Sequence, residues 1–177
     1  MSVRKNILLI VGSATPQSSN LQLARTIQAM GGDSYTITES LAQLPHFEPL
    51  LSAAAPPEAV LLFRNKVEQS DGVIICTPEY IFSLPAVLKN ALEWCVATTI
   101  FAQKPAGLIT ASAHGAKAHE ELQLIMKTLE ARFTKDTTLL IQGIKGRFDQ
   151  QGNLSDRQTA VQLQAFVSAF EDLVGLC

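Results

Sequence analysis

Thr77, Pro78, Glu79 and Tyr80 follow directly on the apolar run 72–76, whose length and composition predict a buried strand. A helical pattern begins a few residues later, so these four residues lie in a loop between a strand and a helix. In an open parallel sheet, ligands bind in the crevice beyond the carboxyl ends of the strands. Tyr80 can lie against a flat ligand there, although an exposed tyrosine also commonly serves only packing or an interface.

A second loop, residues 12–20, follows the first apolar run and is rich in hydroxyl and amide side chains. It contains Ser13, Thr15, Ser18 and Asn20 just before a helical pattern. Free N–H groups at a helix N-terminus favour an anion, so this loop can hold a phosphate without a metal ion or a Walker lysine. The motif is neither G-x-G-x-x-G nor G-x-x-x-x-G-K-[ST]. Because Ser and Asn also serve simply as helix caps, both interpretations stay open.

A third loop of small residues, 111–116, follows the fourth predicted strand and carries Ser112, His114 and Gly115. It belongs to the same edge of the predicted sheet as the other two loops. His114 can donate to a carbonyl of a ligand, or it can simply face water. The spacing of the polar residues indicates no Ser-His-Asp or Cys-His arrangement.

The loops are positioned by strand-like runs that alternate with helical patterns. Predicted strands occupy 6–11, 34–38, 73–77, part of 104–112, and 137–142. Predicted helices occupy 18–30, 58–69, 84–98, 116–133 and 155–174. Residues 41–57, with four prolines, are predicted to form a long and mostly irregular connection. The alternation predicts one α/β domain over residues 1–177, a three-layer doubly wound sandwich with a five-stranded parallel sheet.

Composition limits the classes of function. With 47% hydrophobic and 17% charged residues, the chain is predicted to be globular and not disordered. A net charge of −2 argues against nucleic acid and against an anionic membrane surface as partners. No apolar run approaches the roughly 18 residues that cross a bilayer, and no signal sequence is indicated. Cys76, Cys95 and Cys177 lack metal-ligand spacing and predict buried thiols in a reducing, cytoplasmic compartment.

The loops also carry a resemblance to a known family. The chain resembles the NADPH-dependent FMN reductase family of flavodoxin-like proteins, which includes quinone, chromate and azo-dye reductases. The resemblance runs from residue 7 to about residue 156, and its most specific part is Thr77-Pro78-Glu79-Tyr80 with Ser83, Pro85, Leu88-Lys89-Asn90-Ala91 and Trp94. The other similar positions are Gly12-Ser13, Ser18, Asn20, Leu44-Pro45, Phe148-Asp149, Gly152 and Leu154.

The resemblance implies a strand order of 2-1-3-4-5 and an FMN site. The FMN phosphate would lie at Ser13, Ser18 and Asn20, the isoalloxazine would lie beside residues 78–80, and residues 112–116 would approach its pyrimidine end. The predicted cofactor-binding residues are Ser13, Thr15, Ser18, Asn20, Pro78, Glu79, Tyr80, Ile81, Ser112, His114 and Gly115. The chain departs from the family at Thr15, often Arg, at Ile81, often Asn, and at Gly115-Ala116, usually Gly-Gly. Family members are usually homodimers or homotetramers with the flavin near a subunit interface.

These observations predict an FMN-dependent NAD(P)H oxidoreductase that needs no catalytic side chain and no metal, because the flavin carries the chemistry. Hydride would pass from NADPH or NADH to bound FMN, and then to a small-molecule acceptor: a quinone, an azo compound, a metal oxyanion or free flavin. Lys117 and Arg147 are candidates for contact with the 2′-phosphate of NADPH. Two alternatives stay open: a flavin-binding electron carrier, and a flavin-free signalling or interaction domain on the same fold.

Overall fold

Short runs of aliphatic and β-branched residues form the strands, as expected for a parallel sheet that is covered on both faces. The structure, a computed structural model, describes residues 5–15, 17–38 and 40–175. Its strands are β1 (Ile7–Val11), β2 (Tyr35–Ile37), β3 (Gly72–Thr77), β4 (Ala106–Ser112) and β5 (Thr138–Gln142). They form one parallel sheet of order β2-β1-β3-β4-β5, which confirms the predicted flavodoxin-like topology.

In the described parts of the chain, six α-helices lie against the two faces of this sheet. They are α1 (Ser19–Gly31), α2 (Pro49–Ala54), α3 (Glu58–Gln69), α4 (Ala86–Glu93), α5 (Ala116–Thr128) and α6 (Arg157–Val174). Alternate strand residues face opposite layers: Leu9 packs in the core under α1 and α6, whereas Leu8 and Ile10 pack in the core under α3, α4 and α5. No helix within the described ranges is long and apolar enough to span a bilayer.

One glycine in the sheet permits close packing of α6. A Cβ added to Gly107 would lie 2.7 Å from Cζ of Phe166, closer than two carbon atoms can pack. The ring of Phe166 therefore lies directly on the backbone of β4, and this contact seats α6 against that strand.

Residues 41–57 are more ordered than the sequence predicts. They contain a 3-10 turn at Leu41–Gln43 and the short helix α2. Buried Arg64, only 8% exposed, donates to the carbonyl oxygens of Ser52 and Trp94, which fastens α2 to the end of α4. A six-residue helix is too short to show a helical spacing of apolar residues in the sequence. The contact that holds it in place is a tertiary one.

Two predicted helices end earlier than expected. After Glu93, the N–H groups of Cys95 and Val96 bond to carbonyls three residues back, so α4 passes into tight turns instead of continuing to residue 98. Helix α5 ends in a Schellman-type motif in which Glu130 has a φ of 59° and the N–H of Ala131 bonds to Met126. Glycine usually occupies that left-handed position, so the sequence carries no stop signal there.

The described cysteines are buried, as predicted. Burial raises the pKa of Cys76 and that of Cys95 to about 12, so both thiols stay protonated at neutral pH. Trp94 is fully buried and its indole N–H donates to the carbonyl of Pro45 at 2.8 Å. Cys177 lies outside the described residues.

Candidate functional site

The predicted loops meet at the carboxyl edge of the sheet and line a cleft of about 710 Å³. Of the eleven residues predicted to bind a cofactor, seven line it: Ser13, Thr15, Ser18, Asn20, Pro78, Tyr80 and Ser112. The other four, Glu79, Ile81, His114 and Gly115, lie in the same loops but do not line the cleft. The sequence therefore predicts the position of the cleft and seven of the fifteen described residues that line it.

The N-terminus of α1 opens into this cleft and is capped by Ser18. The Ser18 Oγ accepts the N–H of Leu21 at 3.1 Å, so the capping interpretation is confirmed. The hydroxyl proton of Ser18 stays available to a ligand, because the cap uses only the oxygen as an acceptor. No acidic residue occupies the first turn of α1, which leaves its positive end free of a competing carboxylate.

Asn20 contributes a buried acceptor that has no partner. Its side chain is 3% exposed and donates through Nδ2 to the carbonyl of Ala111 at 3.0 Å, while Oδ1 makes no hydrogen bond to any described residue. Buried polar atoms are normally satisfied, so this oxygen, on a residue that lines the cleft, lacks the donor that its burial calls for. An acceptor suits a hydroxyl of a ribityl chain better than a phosphate, although the sequence interpretation assigned Asn20 to the phosphate.

Gly12 brings the first loop against the end of β3. Its N–H donates to the carbonyl of Cys76 at 2.8 Å, and an added Cβ would lie 2.6 Å from Oγ1 of Thr77. Glycine is required here for close approach. The Tyr80 hydroxyl on the second loop consequently comes to 3.5 Å from Oγ of Ser13.

Tyr80 and Ser83 bracket a tight turn beside the cleft. Their backbones exchange two hydrogen bonds, of 3.0 and 3.1 Å, around Ile81 and Phe82, whose φ angles are 51° and 58°. Two left-handed residues between paired ends form a two-residue hairpin turn, which Asn and Gly normally occupy. The Ile81 side chain is 96% exposed and does not line the cleft, so its role in cofactor binding stays a prediction.

Two carboxylates fasten this loop to α5. Glu79 accepts hydrogen bonds from the N–H groups of Gly115 at 3.1 Å and Ala118 at 2.9 Å. The bond from Ala118 is the main reason that the pKa of Glu79 lies below its usual value, and those from Gly115 and Lys117 lower it further. Glu121 on α5 accepts in turn from Oγ of Ser83 at 2.7 Å and from the N–H of Leu84 at 3.0 Å. The Glu79 carboxylate is thus a structural clamp.

The third loop contributes backbone and small side chains to the cleft. Ser112 lines it, and Oγ of Ser112 donates to the carbonyl of Glu79 at 3.4 Å. Gly115 is buried in a left-handed conformation, with a φ of 87°, as the residue that precedes α5. His114 is exposed and does not line the cleft, as the water-facing alternative predicts. Among the described residues, no three His, Cys, Asp or Glu side chains are grouped as a metal site requires.

The sequence interpretation missed the far wall of the cleft. Gln17, Ser19, Ala111, Ala113 and the segment 143–146 also line it. The segment follows β5, and the N–H of Gly143 donates to the carbonyl of Ala113 at 3.3 Å. The predicted parallel sheet did indicate this segment, because β5 ends at the same edge of the sheet as β1, β3 and β4.

Comparison with known proteins identifies the family. Residues 5–145 match the model of the NADPH-dependent FMN reductase family, which is most of the chain. The chain belongs to this family. It is 30% identical to a quinone reductase of Pseudomonas putida, covering 99% of this chain and 98% of the relative. A subunit of an NADH:(hydroxy)cinnamate reductase from Vibrio ruber is 32% identical, over 93% of this chain and 85% of the relative.

Solved structures agree with this membership of the FMN reductase family. The flavoenzyme NAD(P)H:(acceptor) oxidoreductase FerB of Paracoccus denitrificans superimposes with a TM-score of 0.79 at 29% identity, covering 97% of this chain and 98% of that one. The protein is an FMN-dependent NAD(P)H oxidoreductase, and the predicted family, activity class and cofactors are confirmed. The open N-terminus of α1, the hydroxyl of Ser18 and the unpartnered oxygen of Asn20 fit FMN.

Proposed function

We propose that this protein is a quinone reductase, and that the cleft between the first, second and third loops holds its FMN. The observation that carries the site is the unpartnered Oδ1 of Asn20, 3% exposed, beside the open N-terminus of α1. A quinone acceptor is supported by relatives that are quinone reductases in Pseudomonas putida and a 2-hydroxy-1,4-benzoquinone reductase in a Burkholderia species.

In this proposal, the side chains of the protein bind and orient the reactants. Ser18 and the first N–H groups of α1 receive the phosphate, and Asn20 accepts from the ribityl chain. Pro78 and Tyr80 support one side of the isoalloxazine, since both line the cleft on a loop that Glu79 and Glu121 hold in place. FMN, when bound, relays two electrons, so that NAD(P)H, a quinone and one proton give NAD(P)⁺ and a hydroquinone.

The first experiment tests flavin binding and the choice of acceptor. The purified protein should be yellow, and it should oxidise NADH or NADPH with 1,4-benzoquinone in a ping-pong pattern. Chromate, an azo dye and free FMN are tested as competing acceptors at equal concentration. Absence of binding in an FMN titration would contradict the whole proposal. Faster reduction of chromate or of the azo dye than of 1,4-benzoquinone would make that compound, and not a quinone, the preferred acceptor.

We also propose a homodimer or homotetramer. Large exposed apolar side chains are concentrated on one side of the sheet, on the elements from α2 to α5: Leu50, Leu51, Leu61, Leu62, Ile81, Phe82, Val96 and Leu124. Such a concentration is typical of a subunit interface.

Light scattering should give at least twice the 19.2 kDa of one chain. Leu50→Lys should weaken the association, whereas Val161→Lys on α6 should leave it unchanged. A monomeric parent protein would contradict the proposal.

We also propose a cytoplasmic location, which the two buried free thiols support.

A further inference from the structure

Lys145 is the only charged side chain among the described residues that line the cleft. The other described residues of the wall have hydroxyl, amide and apolar side chains, and none of them has a carboxylate. Within the described parts of the chain, Lys145 also has no ion-pair partner, unlike Lys89 and Lys117, which bond to Glu93 and Glu120. An unpaired cation in a cleft that otherwise lacks charge favours an anionic group on the ligand.

The segment of Lys145 and the first turn of α1 are attached to the same strand end. Gly143 donates to the carbonyl of Ala113, while Asn20 donates to that of Ala111. The same connection lies against α1 further on, since a Cβ added to Gly152 would lie 3.0 Å from Nε2 of Gln22. Lys145 therefore belongs to the side of the cleft where α1 begins.

The backbone that carries Lys145 is held on both sides. Arg147 donates through Nη1 to Oδ1 of Asp156 at 2.7 Å and through Nη2 to the carbonyl of Gln142 at 3.3 Å. Asp156 also accepts the N–H of Thr159 at the start of α6. Arg147 is thereby engaged within the protein, whereas the ammonium of Lys145 is free to meet a ligand.

We propose that Lys145 binds the phosphate of FMN beside the N-terminus of α1. The inference rests on the proposed FMN site. A flavin phosphate carries nearly two negative charges at neutral pH, and α1 offers only N–H groups and hydroxyls. Lys145 supplies the positive charge from another part of the chain, 125 residues and more beyond the phosphate loop.

The test compares FMN with riboflavin, which lacks the phosphate. In fluorescence titrations of the full chain, Lys145→Gln should weaken FMN about tenfold, as expected for a charge-assisted hydrogen bond, and riboflavin less than about twofold. Lys145→Arg should restore most of the FMN affinity. The control is Lys127→Gln, which makes the same change of charge at the far end of α5, about 16 Å along the helix from its N-terminus. It should change neither affinity.

Several outcomes overturn the inference while the proposed FMN site stands. One is that the parent protein binds FMN and Lys145→Gln leaves its affinity unchanged. Another is that FMN and riboflavin weaken equally, which would assign Lys145 to the ring or the ribityl chain. A third is that only the KM for NADPH rises, relative to that for NADH, which would assign Lys145 to the 2′-phosphate of the co-substrate. If the parent protein binds no FMN, the proposed function and this inference fall together.

Discussion

The Glu79 carboxylate accepts the backbone N–H of Gly115 at 3.1 Å, which joins the loop after β3 to the N-terminus of α5. The positive end of α5 is thereby neutralised by a carboxylate of the protein. The N-terminus of α1 opens at the same edge of the sheet and has no acidic residue in its first turn. One helix terminus is thus used to hold the loop of Tyr80, and the other is left for an anionic ligand.

The first prediction concerns the pH dependence of the Glu79 clamp. Its pKa is lower in the folded protein than in the unfolded chain, so the carboxylate stabilises the fold above its usual pKa of 4.5. That contribution is lost as the pH falls through the lowered folded pKa. Glu79→Gln should therefore cost about 1 kcal/mol at pH 7 and less at pH 3, as measured by urea unfolding. Glu120→Gln, on α5 but not bonded to the loop of Tyr80, should show a much smaller difference; an equal loss at both pH values for Glu79→Gln would contradict the stabilising role of its carboxylate.

The second prediction concerns the strain at Ile81. A β-branched residue with a φ of 51° is disfavoured by roughly 1–2 kcal/mol relative to its ordinary conformations, whereas Asn tolerates the left-handed region. Ile81→Asn should therefore raise the free energy of unfolding by about 1 kcal/mol, because the exposed side chain gives up little packing within its own chain. Ile81→Val keeps the branch and should give no gain. Equal stability of all three proteins would mean that the turn relaxes without strain.

The features that the sequence predicts well are those with a local cause. Strand β1 and residues 72–76 of β3 are uninterrupted apolar runs, and Gly115 and Ser18 stand where a helix start needs them. The left-handed Ile81 is not predictable from propensity, since the paired backbones of Tyr80 and Ser83 impose its conformation. Lys145 escaped notice because a lone lysine in a polar loop carries no pattern, and only the fold brings it to the cleft.

The third prediction separates the two roles of Ser18. The sequence alone favours a loss of FMN affinity in Ser18→Ala with little change in stability, but the Ser18 cap on α1 alters that expectation. Ser18→Ala should cost about 1 kcal/mol of stability, while Ser18→Gly should cost only a few tenths. Both variants remove the hydroxyl and should weaken FMN about tenfold in a titration. If FMN binding falls only in Ser18→Ala, the hydroxyl acts through the helix cap and not on the phosphate.

The fourth prediction concerns the unpartnered oxygen of Asn20. If Oδ1 accepts a ribityl hydroxyl, Asn20→Ala should weaken FMN and riboflavin by the same factor, about three- to tenfold, because both flavins carry the ribityl chain. Stability should also fall by about 1 kcal/mol, since the carbonyl of Ala111 loses the bond from Nδ2.

Gln28→Ala provides the matched control for Asn20. Gln28 also donates to a backbone carbonyl, that of Tyr35 at 2.9 Å, but from the other end of α1. It should lower stability by a similar amount while leaving both flavin affinities unchanged, which removes general loosening of α1 as an explanation. Titration of the three proteins with both flavins decides the role of Asn20. A loss confined to FMN would assign Asn20 to the phosphate, and it would leave the buried oxygen without the donor that its burial requires.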